Sequence, residues 1–190
     1  MVMTTIAATP HVMNDLLALS HVPRWSIIRH SGQQSVSDHS FRVTVIFMEL
    51  CLRLGRPDMS CLGVIWAIVH DGPEAWVGDI PKPFKTRDAE SSVTPWWHDF
   101  KRRIPADVQA LVKLSDLIEG ATWISGRGLG HHAAHAAVKL KREALEKARE
   151  VAGQVDCGPD QLEEIVNILI ADIECETGRC GPTEQTPAPQ

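Results

Sequence analysis

The chain has 190 residues, 44% hydrophobic and 23% charged, with a formal net charge of −5. That length and composition suit one globular domain with its own core, and the acidic balance argues against a general binder of nucleic-acid backbone. The longest apolar run, Val64 to Val69, is far short of the roughly 18 residues of a membrane-spanning helix.

Met1 to Pro10 lacks the charged and apolar regions of a signal peptide, so the chain reads as cytoplasmic. Cys51, Cys61, Cys157, Cys175 and Cys180 include no C-x-x-C pair. They read as free thiols in a reducing compartment.

In chain order the periodicity is helical. Phe41, Val45, Met48 and Leu52 recur at i, i+4, i+7 and i+11, one face of a helix from about Ser37 to Leu54. Gly55 and Pro57 stop it. Leu62, Ile65, Trp66 and Val69 mark the next helix, with Val64 and Ile68 on its other side. Apolar all round, that helix is expected to be buried.

A third helix opens near Pro105 and carries Leu111, Leu114 and Ile118. The Ala-, Lys- and Glu-rich stretch from His131 to Val151 predicts a fourth. Leu162, Ile165, Val166, Leu169 and Ile173 stripe a last helix, entered through Gly158-Pro159-Asp160. No period-2 strand pattern competes. The expected fold is all-α, a single helical bundle over residues 1–180. The Pro/Thr/Gln-rich residues 181–190 form an expected disordered tail.

Chemistry-bearing residues stand out because they interrupt apolar helices. His70 and Asp71 end the most hydrophobic one, where a carboxylate is costly unless paired or bound to metal. His39 falls in the first turn after Ser37-Asp38. Asp116 lies between Leu114 and Leu117, with Lys113 three residues before it on one face. Glu74 and Asp79 add two downstream carboxylates, giving H…HD…D. His131 and His135 have an i, i+4 spacing without an accompanying carboxylate and read as surface histidines. Trp96-Trp97 reads equally as an anchor or as part of a lid or interface.

The H…HD…D pattern resembles the HD-domain phosphohydrolases, and within them the YfbR-like 5′-deoxynucleotidases. The resemblance is carried by Arg24-Trp25, by Ser37-Asp38-His39-Ser40, by the run His70-Asp71-Gly72-Pro73-Glu74 through Gly78-Asp79-Ile80-Pro81-Lys82-Pro83-Phe84-Lys85, and by Val112-Lys113-Leu114-Ser115-Asp116. It covers roughly Leu16 to Trp123.

It implies an HD-domain bundle whose metal ligands are His39, His70, Asp71 and Asp116. Two imidazoles with two carboxylates suit Mn, Fe, Co or Zn better than Mg or Ca, so one divalent transition metal per chain (Zn, Co or Mn) is expected. Glu74 and Asp79 are then the carboxylates for proton handling. Arg24, Lys82, Lys85 and Lys113 become phosphate clamps. Trp25, Ile27 and Pro83 wall the sugar and base, with Trp25 packed where a 2′-hydroxyl would sit.

Lys82 replaces the Thr common in the bacterial enzymes, and an extra cation suits a longer polyphosphate. The resemblance thus favours hydrolysis of dATP to deoxyadenosine and triphosphate, as in the phage dATP triphosphohydrolases. Release of phosphate from deoxynucleoside monophosphates is the alternative. A non-catalytic nucleotide sensor is a third reading, against which Glu74 argues. The family implies a homo-oligomer, a dimer or an assembly of dimers, located in the host cytoplasm if the source is viral. No nucleic-acid polymer or membrane is expected as a partner.

Overall fold

The computed structural model describes residues 11–81 and 95–176. The expected tail at 181–190 lies outside them, as do Lys82, Pro83, Lys85 and Cys180. Among the described residues the chain is helical, with two isolated bridges, Pro23–Ser35 and His30–Gly128, in place of a sheet. The helices are α1 (His11–Ala18), α2 (Val36–Arg53), α3 (Ser60–Val69), α4 (Glu74–Val77), α5 (Pro95–Lys101), α6 (Ala106–Arg127), α7 (Gly130–Val151) and α8 (Pro159–Glu176). Single 3-10 turns at Leu19–His21, Pro57–Met59 and Ala152–Gln154 connect some of them.

A capping box opens α2. The Ser35 hydroxyl accepts the Asp38 N–H at 3.1 Å, and the Asp38 carboxylate accepts the Ser35 N–H at 3.1 Å. Two donors orphaned at the helix start are thereby satisfied, and His39 is fixed in the next position. Gly55, at φ +66°, follows the helix where most side chains would be strained.

The inward face of α2 is Val43, Ile46, Phe47 and Leu50. The stripe of Phe41, Val45, Met48 and Leu52 points outward, Phe41 being 69% and Leu52 65% exposed. The expectation that α3 is buried all round is also corrected. Trp66, Ala67 and Val69 are buried, but Leu62, Ile65 and Ile68 are each more than two-fifths exposed. Both helices are apolar on two sides, and the described elements cover only one.

The α2–α3 contact is close because Gly63 faces the Phe47 ring. A Cβ at Gly63 would come within 1.9 Å of the ring. The α6 helix packs against α2, α3, α7 and α8 and contributes Leu111, Leu114, Ile118 and Ile124 to the interior. Along α7 the buried positions include Ala133, Ala137, Ala144 and Ala148, small side chains that let its backbone lie near α6. A second, smaller cluster joins Trp123, Ile124, Ala133 and Ala137 to Trp25 and Ile28 of the loop ahead of α2. His131, His132 and His135 are exposed, in line with surface histidines. Trp97 is buried and its indole donates to the Val69 carbonyl at 2.8 Å, the geometry of an anchor.

Candidate active site

Three helices bring together four residues from three distant parts of the sequence. His39 comes from the first turn of α2, His70 and Asp71 from the end of α3, and Asp116 from the middle of α6. Ligand atoms of His39, His70 and Asp116 all lie within 4.8 Å of one another. Asp71 adjoins them, its Oδ2 being 3.4 Å from His39 Nε2 and 3.3 Å from His70 Nε2. Asp116 Oδ1 is 3.2 Å from His39 Nε2.

Each imidazole is held by its other nitrogen. His39 Nδ1 lies 2.7 Å from Glu119 Oε2, and His70 Nδ1 lies 2.7 Å from the Ala67 carbonyl. Both acceptors require a proton on Nδ1, which leaves Nε2 of a neutral ring as a lone pair aimed into the cluster. Those two buried Nε2 atoms face the Asp71 and Asp116 carboxylates at 3.2–3.4 Å without a well-formed hydrogen bond. Two orphaned imidazole nitrogens beside two carboxylates fit a divalent transition ion, and the Glu119 and Ala67 contacts orient the imidazoles as outer partners of metal-ligating histidines do.

The electrostatics agree with that fit. Burial and then Arg24 press the His39 pKa down, but Glu119, Asp116 and Asp71 outweigh them and push it up to about 10. Burial pushes Asp71 up, and His70 and His39 more than reverse it, holding the group well below the usual carboxylate range. Asp116 behaves alike, with Lys113 as its main opposing charge. Burial holds His70 below its ordinary value. The cluster therefore attracts positive charge, whether proton or cation.

Glu119, one turn beyond Asp116 on α6, is the centre of a second network. Fully buried, it accepts from Gln34 Nε2 at 2.7 Å, from Arg42 Nε at 2.8 Å and from Arg24 at 3.4 Å, besides its contact with His39. Burial raises its pKa, and His39, Arg24 and Arg42 together bring it below the ordinary value. Gln34 in turn accepts the Trp25 indole N–H at 2.7 Å. Asp79 Oδ2 accepts the backbone N–H of Trp25 at 3.2 Å and lies 4.0 Å from Arg24 Nε.

Two cavities meet at the cluster and share Asp71, Glu74, Lys113 and Asp116. One, of about 300 Å³, is walled by Arg24, Trp25, Ile27, Asp79, Gly120 and Leu140. The other, of about 500 Å³, is lined by Lys101, Gln109, Lys147 and Trp97 besides His70. Glu74 opens α4, is 4% exposed and borders both. Ile27 sits exposed at the lip of the smaller cavity. Lys113 Nζ pairs with Asp116 Oδ2.

The profile of the 5′-deoxynucleotidase YfbR-like family matches residues 11–95. The dATP triphosphohydrolase of Salmonella phage PMBT28 is 30% identical over 135 residues, covering 63% of this chain and 69% of that protein. The chain belongs to the YfbR-like HD-domain phosphohydrolases. Its similarity to the dATP triphosphohydrolase of Cyanophage S-2L is 26% over 152 residues, covering 74% of this chain and 87% of that protein. The fold is also that of a Cyanophage S-2L HD phosphohydrolase bound to dA and one catalytic Zn²⁺, with a TM-score of 0.74, 23% identity, and coverage of 84% and 96% of the two chains.

The structure brings His39, His70, Asp71 and Asp116 of the sequence reading together, and that reading misses the layer behind them. Glu119, Gln34, Arg42 and Trp123 do not figure in that reading. Glu119 did carry a signal, as a carboxylate inside the apolar run from Leu117 to Ala121. Gln34 carried none, because a glutamine in a polar loop has no pattern to break.

Proposed function

We propose that the protein is a deoxynucleoside triphosphate triphosphohydrolase that converts dATP to deoxyadenosine and triphosphate. The observation that carries this reading is the position of the His/Asp cluster between two unlike cavities. An apolar wall of Trp25 and Ile27 lies on one side, Lys101 and Lys147 on the other, and Lys113 borders both. Hydrolysis at the α-phosphorus needs such a division, with the nucleoside on one side of the reacting phosphorus and the remaining phosphates beyond it. A monophosphate would leave the larger cavity without a ligand. The names of the phage relatives support the same substrate, whereas the family description names a 5′-deoxynucleotidase.

A divalent transition ion (Zn, Co or Mn) held by His39, His70, Asp71 and Asp116 would polarise a phosphoryl oxygen and acidify water. The protein's own groups supply the rest. Water attacks the α-phosphorus, the bond from phosphorus to the 5′-oxygen breaks, and a proton must reach that oxygen. Glu74, bordering both cavities, takes the proton from water. Asp79, in the nucleoside cavity, lies on the side of the leaving 5′-oxygen. Lys113 at the junction and Arg24 in the smaller cavity bind the phosphoryl oxygens. Lys82 and Lys85, expected as further phosphate clamps, and Pro83, expected in the base wall, lie outside the described residues. Trp25 fills the space of a 2′-hydroxyl, so a ribonucleotide meets both a clash and an unsatisfied polar group.

The assembly is a homo-oligomer, a dimer or a set of dimers, built on the outward stripe of α2 with Leu62, Ile65 and Ile68 of α3. Large exposed apolar patches on a globular protein mark contact surfaces. Incubating the metal-loaded protein with dATP, dAMP and ATP and separating the products by ion exchange tests the substrate. Deoxyadenosine with triphosphate from dATP alone is the expected result.

A further inference from the structure

We propose that Gln34 is the positioning residue for sugar selection: it sets the Trp25 indole against the same buried carboxylate, Glu119, that orients His39. The inference rests on the substrate reading above and adds a specificity determinant to it.

Gln34 is 3% exposed and bridges two groups of opposite demand. The Glu119 carboxylate only accepts, and the Trp25 indole N–H only donates. One orientation of the Gln34 amide satisfies both, with Nε2 toward Glu119 and Oε1 toward the indole, each at 2.7 Å. The opposite orientation sets donor against donor and acceptor against acceptor. A side chain without an amide takes the acceptor from the part-buried indole N–H and leaves Glu119 Oε1 with Arg42 as its one remaining donor.

The backbone reinforces the arrangement. The Arg24 N–H donates to the Gln34 carbonyl at 2.9 Å, so the two segments of the loop run side by side. Trp25 adopts φ +66°, a left-handed conformation that costs a tryptophan free energy and persists only where its surroundings fix it. Asp79 fixes its backbone N–H, Trp123 stacks on its ring, and the ring edge passes over Gly120, where a Cβ would meet Trp25 Cη2 at 3.5 Å. Stacking leaves a ring able to slide and turn within its own plane. The Gln34 contact removes that freedom, and a wall meant to reject one hydroxyl has to be placed to a fraction of an ångström.

The chain Trp25–Gln34–Glu119–His39 thus joins sugar recognition to the ligand cluster through three contacts of 2.7 Å. Arg42, on the outer side of Glu119 at 2.8 Å, helps keep that carboxylate ionised.

The test is calorimetric binding of deoxyadenosine and adenosine, which carry no phosphate to hydrolyse, to the zinc-loaded protein and to Gln34→Met. The unmodified protein should prefer deoxyadenosine. In Gln34→Met that preference should shrink about tenfold while zinc content is kept. An unchanged preference in Gln34→Met overturns the role of Gln34 and leaves the substrate reading standing. Equal binding of the two nucleosides by the unmodified protein overturns both. If Gln34→Met does not fold, hydrogen exchange of the Trp25 indole N–H in the unmodified protein decides. Strong protection is expected, and exchange as fast as that of an exposed indole contradicts the proposal.

Discussion

Trp25 lies parallel to Trp123, with ring centroids 5.7 Å apart and the planes within 6°. The pair forms a firm backing for one wall of the smaller cavity, beside the ligand cluster. Truncating Trp25 to Ala should therefore relax the preference for dATP over ATP by at least about tenfold, since room and water become available for a 2′-hydroxyl. Turnover of dATP should also fall, because a loosely held substrate is misplaced over the ligand cluster. Initial rates on the two nucleotides check this. A Trp25→Ala protein with the native dATP/ATP ratio would remove the ring from sugar selection.

Glu74 is buried at the junction of the two cavities. Glu74→Gln should keep metal content and dATP binding while turnover drops about 10²–10⁴-fold, the usual contribution of a proton-transfer group. Elemental analysis alongside steady-state kinetics separates the roles. Loss of metal from this variant would make Glu74 a ligand.

The proposed metal set is His39, His70, Asp71 and Asp116. Asp71→Ala and Asp116→Ala should each purify with little transition metal, and full retention in both would refute the assignment. The sign of the pH effect follows from His39, whose pKa rises from 6.5 to about 10 in the metal-free fold. A raised pKa stabilises the metal-free protein below the unfolded value of 6.5, and that contribution is lost as pH climbs through about 10. A cation replaces the proton, so loading should release about one proton and tighten with pH across this window. Calorimetry in buffers of different ionisation enthalpy measures the release; metal binding without proton uptake by the buffer would contradict it.

Phe41, Val45, Met48 and Leu52 form an outward apolar stripe on α2. Phe41→Glu with Met48→Lys should shift the sedimentation of the protein to a 21.0 kDa monomer with its helix content intact. An unmodified protein that sediments only as a monomer at all concentrations would refute the assembly.

The helices were legible because caps and periodicity are local. The Gly55-Arg56-Pro57 stop and the Gly158-Pro159 entry sit in the sequence where the helix ends fall, while α2, expected from about Ser37, is capped two residues earlier by Ser35. Which apolar face turns inward was less legible. On α2 the stripe of Phe41 and Leu52 is as regular as that of Val43, Phe47 and Leu50, and only tertiary packing distinguishes them. That His39, His70, Asp71 and Asp116 belong together was legible because charged groups inside apolar helices demand compensation and because the family resemblance joins them. Gln34 and Glu119 act through contacts 85 residues apart in sequence, and no spacing rule connects them.

The central claim is that the two cavities hold the two halves of a deoxynucleoside triphosphate. Product analysis of dATP turned over by the zinc-loaded protein in ¹⁸O-water tests it most directly. The expected result is deoxyadenosine without the label and triphosphate carrying one ¹⁸O, as attack at the α-phosphorus requires. Orthophosphate as the first product, or dAMP hydrolysed while dATP is left untouched, would contradict it.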